Sequence, residues 1–182
     1  MPDQVALTVA AFTVGRQDDW PGPGRMRFGC FACNNVADAD GSVPIHFRNF
    51  DTDAAGGPLV RIKLARRRDE MAALVEHILT KCPDAKHVRG RSWLYHLPAY
   101  RRVFPPAYVA SAEPVEPEAR NFQGNSLWGQ VIDSEEQLRP DVTDMVMAAL
   151  PTMDLARPWT VFPFGLLATR ASLEKFVEFY RL

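Results

Sequence analysis

The sequence predicts an α+β fold of the α/β type, with a mixed, largely antiparallel sheet and helices packed on its faces. Three observations lead there. Apolar residues alternate with polar ones over 59–64 and over the first half of 43–50, the period of a half-buried strand. Met71, Leu74, Val75, Ile78 and Leu79 recur at the spacing of one helical face. Between such segments stand clusters of Gly, Pro, Asp and Asn, the residues of turns. The 182 residues, 47% hydrophobic and 24% charged, are enough for one buried core, and a single domain over 1–182 is expected. Within it, 1–112 forms the core and 113–182 an extension or second lobe.

Taken in order, 5–14 reads as a strand, although Val5, Thr8, Val9 and Phe12 also fit a helix. Asp18–Gly24 carries Trp20-Pro21-Gly22-Pro23 and is a turn. Met26–Cys33 is a second strand, ending at Asn34-Asn35. Asp38–Gly41 turns into Val43–Phe50, where Val43, Ile45 and Phe47 share a face, and the two strands form an antiparallel pair. After the loop 51–58, Leu59–Leu64 is a strand with Val60, Ile62 and Leu64 on one side. The helix 69–81 follows, with Asp69 and Glu70 at its positive end, Lys81 at its negative end and Pro83 beyond it.

Val88–Tyr95 is the next strand, with Arg89, Arg91, Trp93 and Tyr95 on one face. Pro98 opens a short helix with the stripe Leu97, Tyr100, Arg101 and Phe104, closed by Pro105-Pro106. Ala107–Ala112 is a short strand and Glu113–Arg120 a charged linker. Leu127–Ile132 is a strand; Ser134 and Gln137 resemble a capping box. Helix 140–150 keeps Val142, Met145, Val146, Ala149 and Leu150 in period. Thr160–Ala168 is strand-like, with Pro163 marking an edge. Ser172 caps a last helix, 171–181, with Leu173, Phe176, Val177 and Tyr180 facing in.

Charge is uneven along the chain. Residues 61–102 hold 11 Lys/Arg against 4 Asp/Glu, while 113–154 hold 2 against 9. The basic block lines a face or cleft, or the two blocks are separate solvated surfaces. The net charge of −1 excludes a general nucleic-acid binder. The longest apolar run is too short to span a bilayer. No secretory leader precedes the three cysteines, so a reducing cytoplasm is expected.

The densest chemistry lies in 88–108: four arginines, a histidine, a tryptophan and three tyrosines. Such a mix suits a planar or anionic ligand. Arg89, Arg91, Trp93, Trp128 and Gln130 are candidate substrate-binding residues, the tryptophans serving either as cleft walls or as core. Among the histidines, only His96 stands where a strand passes into a helix; it is a candidate base or a capping residue. Cys30-Phe31-Ala32-Cys33 has the spacing of a redox pair or half a zinc site, but on a strand its thiols point apart, which favours buried free thiols. Neither Ser92 nor Ser126 lies in Gly-x-Ser-x-Gly, and no phosphate loop, metalloprotease or EF-hand motif occurs.

From Leu59 to Ala112 the expected order is strand, helix, strand, short helix, strand, with parallel pairing across the long helix. In order of elements this resembles the GNAT-type N-acyltransferases. Their pyrophosphate loop, Arg/Gln-x-x-Gly-x-Gly/Ala, would correspond to Ala65-Arg66-Arg67-Arg68-Asp69-Glu70, which has no glycine. Their Leu-Tyr-x-x-x-Gly-Phe signature would fall near Val103–Tyr108. The resemblance implies an acyl-CoA co-substrate held by Arg66, Arg67 and Arg68, and His96 or Tyr95 handling protons as the amine of a small-molecule acceptor attacks the thioester carbonyl. The expectation is thus an acyltransferase without a metal, membrane or nucleic-acid partner, a homodimer being compatible. The alternative is a non-catalytic ligand-binding or assembly protein that docks a partner through an Arg/aromatic patch.

Overall fold

A strand-turn-strand ribbon begins the sheet. The computed structural model describes residues 20–116, 125–133 and 137–182. β1 (Arg25–Phe28) and β2 (Phe31–Asn34) pair antiparallel through a two-residue turn at Gly29-Cys30. Gly29 adopts φ +60°, which the first position of such a turn requires. The expected single strand 26–33 is therefore two, because the turn residues sit inside one apolar run. β2 pairs antiparallel with β3 (Ser42–Phe47), as expected, and Val43, Ile45 and Phe47 face the core.

α1 (Leu64–Lys81) then crosses over to β4 (His87–Ser92), which lies parallel to β3. The parallel crossover is present, but its first strand is 42–47. Leu59–Leu64 is not a strand: the chain turns at 59–60, makes a 3-10 turn over Arg61–Lys63 and enters α1. Lys63 is drawn inward and Ile62 is 81% exposed, the reverse of the expected alternation. α1 also begins five residues before Asp69. Met71, Leu74, Val75 and Ile78 are fully buried as expected, whereas Leu79 is half exposed.

β4 ends at Ser92, not Tyr95, because Ser92 Oγ accepts a hydrogen bond from Leu94 N at 3.1 Å and caps a 3-10 turn over Trp93–His96. Trp93 and Tyr95 consequently leave the arginine-bearing face and are buried. α2 (Pro98–Arg101) starts on Pro98 as expected. Ala107–Ala112 is not a strand; α3 (Pro106–Ala110) starts on the proline that was expected only to stop a helix. β5 (Glu113–Pro114) is a two-residue edge strand. The sheet closes with β6 (Leu167–Ser172), antiparallel to β4 over six residue pairs, in the order β1-β2-β3-β4-β6-β5. α6 (Leu173–Tyr180) follows directly.

The chain divides into two compact units. The larger is Pro21–Glu113 with Leu167–Leu182; the described residues of the smaller lie between Pro114 and Leu166, besides Trp20. The larger unit's core gathers Phe31, Val43, Met71, Leu74, Val88, Tyr108 and Phe176. The smaller unit holds α4 (Asn125–Trp128) and α5 (Pro140–Ala149). Its core is Leu127, Val131, Val142, Val146, Val161 and Phe162. Leu127–Ile132 is thus a helical turn and bend instead of a strand, and Thr160–Ala168 contributes a 3-10 turn over Pro158–Val161 before β6. Apolar runs this short fit either state, and packing decided. The expected strand 5–14 and Ser134 of the capping box lie outside the described residues. Among those described, no helix is long and apolar enough to cross a membrane.

Candidate functional site

At the start of α1 the buried stripe runs one turn further back than Met71, and Arg67 occupies its next position. Its side chain is 1% exposed. Arg67 Nη2 meets Asp51 Oδ2 at 2.6 Å and Glu70 Oε1 at 2.8 Å, and Nη1 donates to Cys30 Sγ. Arg66 pairs with the same Asp51 Oδ2 at 3.1 Å and with Glu70 at 3.5 Å. Arg68 is exposed, donates to Arg102 O and stacks over Phe179. Two of the three expected phosphate-binding arginines therefore have carboxylate partners. Lys63 Nζ completes the knot, donating to Asp51 O, Asp51 Oδ1 and Gly56 O and pairing with Asp53. This knot fastens the 51–56 loop to α1.

Tyr95 lies inside the core, its hydroxyl 2.8 Å from that of Tyr108. Burial pushes both phenols above their ordinary range, so each keeps its proton. Both hydroxyls crowd Gly90, where no side chain fits. His96, one residue on, is exposed. Of the two expected proton carriers, one is thus buried in the core and the other exposed. Cys30, Cys33 and Cys82 are buried free thiols. Burial raises all three, Cys33 to about 12.

Arg89 and Arg91 stand on the sheet face opposite the core, and the register gives them company that sequence alone did not reveal. Arg25 pairs with Asn34, Cys33 with Ile45, Pro44 with Arg89 and Arg89 with Arg170. Cross-strand partners share a face, so Arg25, Asn34, Pro44, Arg89 and Arg170 form one row across five strands. Arg27 and Arg91 project from the same face two residues further along their strands. At roughly 4.8 Å per strand, Arg89 and Arg170 are neighbours and Arg25 stands about 14 Å from Arg89.

Local contacts hold the row in place. Arg89 grips Asp38 Oδ2 through Nε and Nη2 at 2.9 and 2.7 Å. Arg170 pairs with Asp40 at 3.2 Å and donates to His87 Nδ1 at 3.1 Å. Asn34 Oδ1 accepts from Arg25 Nε and from His46 Nε2. Burial, then the charges of Arg25 and Arg89, press the His46 pKa down to about 4. Arg25, Arg89 and Arg170 remain substantially exposed. The alternation Arg25/Arg27 was a signal for outward residues; Arg170 was missed because its strand was placed too early.

Trp128 and Gln130 belong to the smaller unit, Arg89, Arg91 and Trp93 to the larger. Trp128 meets the Phe162 ring edge to face at 5.1 Å. Gln130 is buried and exchanges two hydrogen bonds with Phe164, 2.8 Å to its carbonyl and 3.0 Å from its amide. Both are thereby integral to that unit's packing. Among the described residues, no group of three or more metal-ligating side chains comes together.

Fold and site together define an α+β protein with an open mixed sheet that carries a row of arginines on one face. Comparison with family models, with curated proteins and with solved structures finds no match.

Proposed function

We propose that this chain is a non-catalytic binding and assembly protein whose arginine-bearing sheet face docks a carboxylate-rich protein segment. The observation that carries the reading is the row Arg25–Arg89–Arg170, three partly exposed guanidiniums on one sheet face, of which Arg89 and Arg170 would be shared between a partner's carboxylates and Asp38 and Asp40. Guanidinium forks recognise carboxylates bidentately, and a preformed row loses little side-chain freedom on binding.

The test is fluorescence anisotropy with a labelled hexaglutamate peptide at low and high salt. Binding that weakens with salt and disappears in an R25E/R170E variant is expected. No binding at low ionic strength, or binding indifferent to that substitution, would sink the reading.

One observation favours a second reading, the acyl-CoA-dependent N-acyltransferase: the parallel crossover from β3 through α1 to β4. On that reading a coenzyme A pyrophosphate would compete with Asp51 and Glu70 for Arg66 and Arg67. Thermal-shift measurements with acetyl-CoA and longer acyl-CoAs test it, and no shift with any of them removes it.

A further inference from the structure

The turn that leads into β3, Asp38–Gly41, is closed by backbone bonds of its own. Asp38 N donates to Ser42 O and Gly41 N to Asp38 O, each at 2.8 Å, while Gly41 O accepts from Lys86 N and His87 N. Its shape therefore does not depend on its side chains being charged. Yet both of its carboxylates reach the arginine row. Asp38 Oδ2 accepts from Arg89 Nε and Nη2 at 2.9 and 2.7 Å, and Asp40 Oδ2 pairs with Arg170 Nη1 at 3.2 Å. Ser42 fixes Asp40 in place, its N donating to Oδ1 at 3.0 Å and its Oγ to Oδ2 at 3.1 Å. Arg25 is held differently. Its hydrogen bonds go to neutral oxygens, Asn34 Oδ1 and Pro21 O, each at 3.2 Å.

An Asp-Ala-Asp turn seated on two arginines has the chemistry of the ligand proposed for the row. Carboxylates tethered in the same chain face their arginines at high effective concentration, so a lone carboxylate in solution replaces them poorly. The four side chains of the two pairs are, however, 39–53% exposed, and ion pairs so exposed are weak. A segment of several linked carboxylates, one of them on Arg25, gains a tethering of its own and can compete.

We infer that the Asp38–Gly41 turn is an internal competitor for the arginine row, holding Arg89 and Arg170 until a segment of linked carboxylates displaces Asp38 and Asp40. The inference rests on the docking role proposed for that row and adds its regulation.

Fluorescence anisotropy with labelled hexaglutamate at low ionic strength tests this on wild type, D38N/D40N and D69N/E76Q. The two variants raise the net charge equally. Asp69 and Glu76, however, are exposed on α1, which packs on the core face of the sheet, away from the row. D38N/D40N is expected to bind at least about threefold tighter than wild type, and D69N/E76Q to differ from it by less than about twofold. Should circular dichroism show D38N/D40N unfolded, D38N alone, which leaves Asp40 on Ser42, is judged by the same comparison with D69N. Aspartate variants that bind no tighter than their charge-matched controls overturn the inference. Wild-type binding that R25E/R170E abolishes then leaves the docking role standing. If neither wild type nor the aspartate variants bind, the docking role falls and the inference with it.

Discussion

Arg67 Nη2 lies 2.6 Å from Asp51 Oδ2, with the arginine side chain 1% exposed and the aspartate 12% exposed. A guanidinium so buried is tolerated because two carboxylates, Asp51 and Glu70, face it. Asp51→Ala is expected to cost about 3–5 kcal/mol, since it removes a buried partner of Arg67, leaving Glu70 alone to face it, and also of Lys63 and Arg66. Arg67→Met should cost less, because Asp51 keeps Lys63 and Arg66. Urea unfolding of the two variants decides; equal losses would mean that Arg67 is not held chiefly by Asp51.

Lys63 ties the loop to α1 through two carbonyls and two carboxylates. Lys63→Met keeps much of the buried stem but removes every one of those contacts. The 51–56 backbone should then exchange its amide hydrogens faster and be cut sooner by protease, with β4 and β6 unaffected. Unchanged exchange in that loop would show that it holds without the ammonium.

Gly90 faces the paired hydroxyls of Tyr95 and Tyr108 so closely that a methyl group would overlap both. Gly90→Ala should lower stability by about 1–3 kcal/mol, as overpacking does. Added to a Tyr95→Phe/Tyr108→Phe background, the same change should cost clearly less, because the opposing oxygens are gone. Additive losses in a thermal-melt cycle would argue against the overlap.

His46 stays neutral to about pH 4 in the folded protein, against an ordinary 6.5. An unfolded chain takes up the proton near 6.5, so between pH 6.5 and 4 the unfolded state binds more protons. Stability therefore falls as pH drops through that window and levels off below it. His77, also lowered chiefly by burial, acts in the same direction. His46→Gln keeps a donor for Asn34 and removes one titration, so its stability should fall less over the same interval. Parallel pH dependences for variant and wild type would rule His46 out as a cause.

The helices were legible where a repeating pattern ran long enough. Met71, Leu74, Val75 and Ile78 named the buried face of α1, and Arg67 continued that pattern, although a charged residue there reads as surface until its partners are known. Val60, Ile62 and Leu64 misled because three alternating residues fit a strand, while Lys63 is pulled inward by groups on a distant loop. Arg89 and Arg91 were legible as residues of one face. Their row with Arg25 and Arg170 was not.

By itself, then, the sequence determined the α+β class, the antiparallel pairing of the strand ending at Cys33 with β3, the buried stripe of α1, and the separation of basic from acidic segments. These depend on local period and composition. Only the tertiary structure decided that Ser92 ends β4, that Asp51 neutralises Arg67, and that arginines 145 residues apart in the chain (25 and 170) share one row. Register and burial depend on which distant groups satisfy each other, and no local pattern encodes that choice.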